Sequence, residues 1–195
     1  MAANDFIDII NGTNNSYAGL DGILFAVYRA AAEAYAHIAA GIFSELSEGT
    51  PAPSGFNNGI LFLLPKKGLL TPDDTRPLSV TNAFNRIIAS GVVSTITPSL
   101  QSFLEPSQKG FIPGRTGEDH IRKLNDLFYS AVENKDGPDL NVLFIDTKKA
   151  FDSIDHDYLF KLLSSIGLPA WVVTIIKALL TGARVNPALG GSSDV

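Results

Sequence analysis

Four apolar residues, Val142, Leu143, Phe144 and Ile145, run straight into an acid, Asp146, and an aromatic, Phe151, follows five positions later. An unbroken apolar run of this length reads as a buried strand, so the chain needs a sheet as well as helices. An acid at the C-terminal end of such a strand is carried to the rim of the sheet. A rigid element can hold it there toward a metal ion or a substrate.

The rest of the chain frames this stretch. Residues 22–47 are predicted to be helical, with Leu24, Tyr28, Ala31, Tyr35, Ile38 and Ile42 recurring at helical spacing on one face and Asp21 placed as N-cap. The segment Glu48-Gly-Thr-Pro-Ala-Pro-Ser-Gly55 is a cluster of helix breakers and the best linker. Residues 60–64 then form a strand candidate, and residues 76–80 could be its partner across a turn that holds Lys66 and Lys67. Further helices are expected over residues 82–104, interrupted at Pro98, and over 118–134, 157–166 and 171–180. Gly167 is a good C-terminal stop for the third of these. The tail over residues 186–195 reads as disordered. Strands and helices do not alternate strictly, and no glycine-rich dinucleotide fingerprint is present, so the pattern is α+β rather than a nucleotide-binding doubly wound sheet.

Composition narrows the function classes. The 195 residues contain no cysteine, which excludes disulfides and thiolate metal sites and fits a reducing compartment. The N-terminus lacks a basic region ahead of its apolar residues, so a secretory signal is not expected. No run of about 20 apolar residues is free of charge, so no membrane span is expected and an intracellular setting is. The net charge is −5, which argues against a protein that coats nucleic acid non-specifically. The charge is segregated, however. Residues 51–123 carry eight basic residues against five acids, whereas the segments on either side are net acidic. A surplus of this kind suits a local phosphate-binding surface, and it can also arise by chance.

Individual residues have competing readings. Asp146 can serve as a metal ligand, because its hard oxygens suit magnesium, or as a capping acid after a strand. Phe151, an aromatic beside an apolar strand, reads as core. Asp152, Asp155 and Asp157 precede a helix and are read as caps. Lys66, Lys67 and Arg76 could direct cations at a triphosphate, or could sit on a solvated hairpin tip. The loop from Gln108 to Arg115, with Gly110 and Gly114, can bring backbone N–H groups close to phosphate or be a plain connection. No His/Cys cluster supports zinc, and no Gly-x-Ser-x-Gly elbow supports a nucleophilic serine.

Several of these segments occur together in a recognisable order. Leu64-Pro65-Lys66-Lys67-Gly68, Thr75-Arg76-Pro77-Leu78-Ser79, Gln108-Lys109-Gly110-Phe111-Ile112-Pro113-Gly114-Arg115 and Phe144-Ile145-Asp146 through Lys149-Ala150-Phe151-Asp152 resemble the fingers motifs and motif A of the reverse transcriptases of non-LTR (LINE-type) retrotransposons. Asp21-Gly22-Ile23 and the helix after it resemble the N-terminal extension of those enzymes. The resemblance implies an α+β fold, a partial right-hand polymerase, helix-rich with a small antiparallel sheet. Residues 1–50 would form the N-terminal extension, 51–123 the fingers, 124–185 the start of the palm and 186–195 the tail.

By the same resemblance, Asp146 would hold Mg2+, with the Thr147 carbonyl as a second ligand. Arg76 would contact the triphosphate of an incoming dNTP, and Lys66 or Lys67 would assist or touch the template. Phe151 would disfavour a ribose 2′-OH, Gln108 and Gly110 would shape the pocket, and Arg115 would belong to the same basic surface. The partners implied are an RNA template, a DNA primer and dNTP, with no membrane. The family's aromatic-x-Asp-Asp turn does not occur after Asp146, and the one Asp-Asp pair, Asp73-Asp74, lies upstream. The expectation is therefore a fragment of an RNA-directed DNA polymerase that is inactive alone. The alternatives are a non-catalytic nucleic-acid-binding module that keeps the basic fingers, and an unrelated α+β domain.

Overall fold

In a computed structural model the chain is described over residues 1–65, 75–133, 140–147, 150–151 and 153–188. It divides into two compact units, Met1–Thr95 with His156–Val195, and Ile96–Asp155.

The first unit is built on helices and a sheet. The opening helix α1, Ala3–Asn11, has no counterpart among the elements expected from the sequence; it buries Phe6 and Ile10, and Asp5 accepts a hydrogen bond from the Ala2 N–H (2.8 Å) at its start. Helices α2, Phe25–Ala30, and α3, Ala32–Ser47, follow. The single helix expected over residues 22–47 is thus broken at Ala31, whose φ of −134° and ψ of 44° are not helical. The break resets the helical phase. The buried residues are Phe25 and Tyr28, then Ala36, Ala39, Phe43 and Leu46, while Leu24 and Ile38 of the expected face are about half exposed. The α3 face repeats at three- and four-residue steps, and its two alanines let neighbouring elements approach. Nor does Asp21 cap the helix. Its Oδ1 accepts from the Ile23 N–H (3.0 Å) in a local turn, and Leu24 occupies the N-cap position.

Phe43 joins three helices. Its ring meets Phe6 of α1 edge-on (centroids 5.7 Å apart) and Trp171 of α7, Ala170–Leu180, at 6.0 Å. Helix α4, Ala83–Phe103, adds Ile87, Ile88 and Val92 to this core. Gly91 packs closely on Phe6: a Cβ there would lie 3.0 Å from the ring, which would have to give by a few tenths of an ångström. The interruption expected at Pro98 does not occur. A proline removes one N–H and its hydrogen bond, and the turns on either side keep theirs.

Strands β1, Gly59–Pro65, and β2, Thr75–Thr81, pair antiparallel from Gly59 opposite Thr81 to Pro65 opposite Thr75, as the sequence pattern implies. The sheet is nevertheless mixed. Val185–Pro187 forms β3, parallel to β1, and the order is β2-β1-β3. Asn186 and Pro187, expected in a disordered tail, are therefore strand residues. The Gly59 N–H donates to the Arg184 carbonyl (2.9 Å) and the Ala188 N–H to the Leu61 carbonyl (2.9 Å), so the open edge of β1 takes the returning chain. Helix α6, His156–Ser165, precedes α7 and ends as expected at Gly167, φ +85°, with the Leu168 N–H reaching back to the Leu163 carbonyl (3.2 Å).

Polar side chains fix the connections. Two residues past the breaker segment that follows α3, Asn57 anchors the chain ahead of β1. The buried Asn57 amide donates to the carbonyls of Ala178 (2.7 Å) and Thr181 (2.9 Å) at the end of α7, and its oxygen accepts from Asn85 Nδ2 (3.0 Å). The segment between α1 and α2 is held by two arginines. Arg29 binds the Thr13 carbonyl (2.8 Å) and the Asn15 side chain, while Arg86 binds Ser16 Oγ (2.7 Å) and the Tyr17 carbonyl (2.6 Å) with its guanidinium over the Phe25 ring. Gly19 lies flat against Asn82, where a Cβ would come within 2.5 Å of its backbone.

The second unit holds the end of α4 from Ile96, helix α5, Glu118–Glu133, and the segments around them. The expected strand over Val142–Ile145 is not formed. These residues have no regular structure and no strand lies beside them among the described residues; Leu143, Phe144 and Ile145 are each more than four-fifths exposed. A strand gains its stability from a neighbouring ladder and from apolar cover, and here it has neither. Helix α5 forms where expected, yet none of its residues is buried, and Ile121, Leu127 and Phe128 face solvent.

The Asn57 connection makes a direct prediction. Asn57→Ala leaves two helix-end carbonyls and the Asn85 amide without partners, and the expected cost is about 2–4 kcal/mol. Urea unfolding should show the lower midpoint, and an unchanged midpoint would remove Asn57 from its anchoring role.

Candidate active site

The residues expected at the site fall in both units. In the first, Arg76 stands on β2, exposed and opposite Leu64. Lys66 and Lys67 lie outside the described residues, as do Asp73, Asp74 and Asp152.

The second unit carries Asp146, Thr147, Phe151 and the 108–115 loop. Asp146 and Thr147 follow the extended apolar run and are exposed. Their oxygens are open to solvent, so Asp146 suits one hard-oxygen contact to a metal ion. Among the described residues, no group of three His, Cys, Asp or Glu side chains could hold one. A two-metal phosphoryl-transfer centre needs several carboxylates fixed close together. The described residues thus fall short of that centre. Asp157 opens α6, in keeping with its reading as a helix-start acid.

Phe151 does not enter a core. It is exposed and meets Phe111 edge-on, with centroids 6.1 Å apart. Phe111 belongs to the 108–115 loop and takes a φ of +60°, an uncommon backbone state for a bulky residue. The structure therefore brings two of the expected segments together through these rings. Beside them, Phe103, Leu104, Gln108, Gly110, Phe111 and Ile112 line a concavity of about 550 Å3. Gln108 turns its amide back onto the Gly110 carbonyl (3.2 Å).

The loop owes its shape to Arg115. Its guanidinium donates to the carbonyls of Glu105 (2.7 Å), Gln108 (3.0 Å), Gln101 (3.1 Å) and Leu104 (3.3 Å). These are acceptors at the end of α4 and the start of the loop, where helix carbonyls lack intrahelical partners. Four of the five guanidinium N–H groups are used in this way. Lys109 is also engaged, since its Nζ contacts Asp119 Oδ2 at 2.7 Å at the start of α5. The hydrogen bond from Lys109, and then its charge, hold the Asp119 carboxyl below the usual carboxylate range. The basic residues of this loop are thus drawn into positioning it.

Sequence reasoning missed the polar residues that organise the first unit: Asn57, Asn82, Asn85 and Arg86. One signal was available. Asn82, Asn85 and Arg86 are three and four apart at the start of a helix, so they share a face.

The order of these segments, the β1–β2 hairpin bearing Arg76 and the Asp146–Phe151 stretch define a polymerase-type chain. Residues 64–193 match the reverse transcriptase (RNA-dependent DNA polymerase) family, and the chain belongs to that family. It is 28% identical over 172 residues to a transposon TX1 uncharacterized 149 kDa protein of Xenopus laevis, an alignment covering 88% of this chain and 13% of that protein. It is 24% identical over 133 residues to a retrovirus-related Pol polyprotein of the type-1 retrotransposable element R2 of Popillia japonica, covering 68% of this chain and 18% of the relative. Its relatives are proteins of non-LTR retrotransposons, and the chain spans less than a fifth of their length.

The Lys109–Asp119 contact makes the second prediction. A carboxyl whose pKa is lowered by folding stabilises the fold above the usual carboxylate range, and that contribution is lost as pH falls through the lowered pKa. Carbon-detected NMR titration of Asp119 should show the low value, and Lys109→Met should return it to the ordinary range. The same carboxyl titrating normally in the unsubstituted chain would remove the pair from the loop's support.

Proposed function

We propose that the chain forms the fingers and the first part of the palm of an enzyme that extends a DNA primer on an RNA template. The observation that carries this reading is the family match across residues 64–193, a span that includes Arg76, Gln108, Arg115, Asp146 and Phe151. Reverse transcription by this family generally depends on Mg2+, which supplies charge neutralisation at the transferring phosphate. Asp146 would contribute one oxygen ligand, with the Thr147 carbonyl beside it. Arg76 would meet the triphosphate, where a guanidinium fork matches phosphate oxygens at two points. Lys66 or Lys67 would assist Arg76 or touch the template. Phe151, exposed and braced by Phe111, would stand against the sugar of the incoming nucleotide and crowd a 2′-OH. Gln108 and Gly110 would shape the neighbouring concavity, and Arg115 would hold its wall. The domains would run as residues 1–50 for the extension, 51–123 for the fingers and 124–185 for the palm.

The exposed apolar residues of 142–145 and α5 support the same reading. A working palm would cover them with further strands and helices. The aromatic-x-Asp-Asp turn that would supply the other carboxylates does not occur within these 195 residues.

Primer extension tests the proposal in two forms. The 195-residue polypeptide is expected to give no product. A longer polypeptide joining this stretch to an aromatic-x-Asp-Asp turn is expected to extend a primer on RNA, to fall to background with Asp146→Asn, and to accept ribonucleotides more readily with Phe151→Ala. Asp146-dependent synthesis by the short polypeptide, or full activity of D146N in the longer one, would overturn the assignment.

A further inference from the structure

A second concavity, of about 530 Å3, lies in the first unit and contains none of the motif residues. Its size falls in the range of about 300–1,000 Å3 typical of ligand sites. It is lined by the Gly49–Asn58 loop on one side and by Thr174, Lys177, Thr181 and Arg184, from α7 and the turn after it, on the other.

Three features give it a definite chemistry. First, its lining has two cations, Lys177 and Arg184, and no carboxylate, in a chain whose net charge is −5. Second, the negative potential of the nearby helix end is neutralised. The end of a helix presents unpaired carbonyls and a partial negative charge. Here Asn57 donates to the Ala178 and Thr181 carbonyls, so those acceptors are turned away from any ligand. Third, hydroxyls of Thr50, Ser54 and Thr181 and the Asn58 amide join the cations in the wall, alongside apolar Pro51, Ala52, Pro53 and Ala178 and a glycine-bearing backbone. Gly49 and Gly55 take φ values of +95° and +78°. Lys177 is steadied by the Phe160 ring, 5.3 Å from its Nζ, and neither cation has an ion-pair partner among the described residues.

We infer that this concavity binds a phosphate of a nucleic-acid backbone, with Lys177 and Arg184 as the charged contacts and the Thr50 and Ser54 hydroxyls as neutral ones. The inference rests on the reading of the chain as part of a nucleic-acid polymerase. It adds a backbone contact outside the motifs of that reading, made by the Gly49–Asn58 connection and the end of α7. A phosphodiester carries the charge that complements two cations with no ion-pair partner among the described residues, and a polynucleotide supplies it in a continuous strand.

The test is fluorescence anisotropy of the full chain with a labelled single-stranded RNA across a salt series, with inorganic phosphate as competitor. Lys177→Gln with Arg184→Gln should weaken binding by roughly ten-fold and lower the salt slope by about 0.7 for each phosphate no longer neutralised. Both residues are exposed, and an unchanged circular-dichroism melt verifies folding; Thr50→Val with Ser54→Ala provides a second, uncharged variant expected to weaken binding less. RNA binding that Arg76→Glu abolishes and K177Q/R184Q leaves intact would overturn the pocket while the polymerase reading stands. No RNA binding by the full chain at low salt would overturn both. Binding of inorganic phosphate that K177Q/R184Q abolishes, without effect on RNA, would mark a free-anion site and overturn the nucleic-acid assignment.

Discussion

A single buried amide ties the first unit together. Asn57 bonds to two carbonyls at the end of α7 and to Asn85 of α4, groups that lie 121, 124 and 28 residues away along the chain. It sits just before β1, so the strand begins from a fixed point. The turn it caps leads to Arg184, whose carbonyl starts the parallel pairing of β3 with β1. The apolar core around Phe43 supplies most of the driving force, but apolar contact has no direction of its own. Hydrogen bonds to a buried amide do, and they set where α7 stops and where the sheet begins.

The sequence disclosed the elements whose signal is local. The β1–β2 hairpin, α5, α6 with its Gly167 stop and α7 each follow from apolar period and turn residues within a short window. It misplaced what depends on distant partners. Ala31 looks like a good helix residue, and only the packing of α3 against α1 and α7 explains the phase change there. Asn186 and Pro187 read as a tail because nothing near them signals a strand; their partner is β1. The Val142–Ile145 run fails in the opposite sense. Its pattern is that of a strand, but the neighbours that would make it one are not among the described residues.

The site was legible as motif order rather than as geometry. Asp146 and Phe151 stand out because an acid and an aromatic follow an apolar run, yet nothing local says that Phe151 meets Phe111. Arg115 reads as a cation for phosphate. In the fold it acts first as a clamp, because free carbonyls at a helix end lie within its reach and compete for the same N–H groups. Arginine recognises carbonyl and phosphate oxygens with one geometry, so composition cannot separate the two uses.

The two-unit arrangement carries a consequence for how such a chain tolerates change. The first unit is discontinuous: the chain departs after Thr95 and resumes at His156. The Phe43–Trp171 contact and the β1–β3 pairing fasten the two pieces to each other. The intervening stretch is then a closed excursion, and the entropy of closing it grows only logarithmically with its length, by about 0.6 kcal/mol for each doubling. Insertions and deletions between Ile96 and Asp155 therefore cost the first unit little, whereas the same changes near Asn57 or Arg184 would break the closure itself.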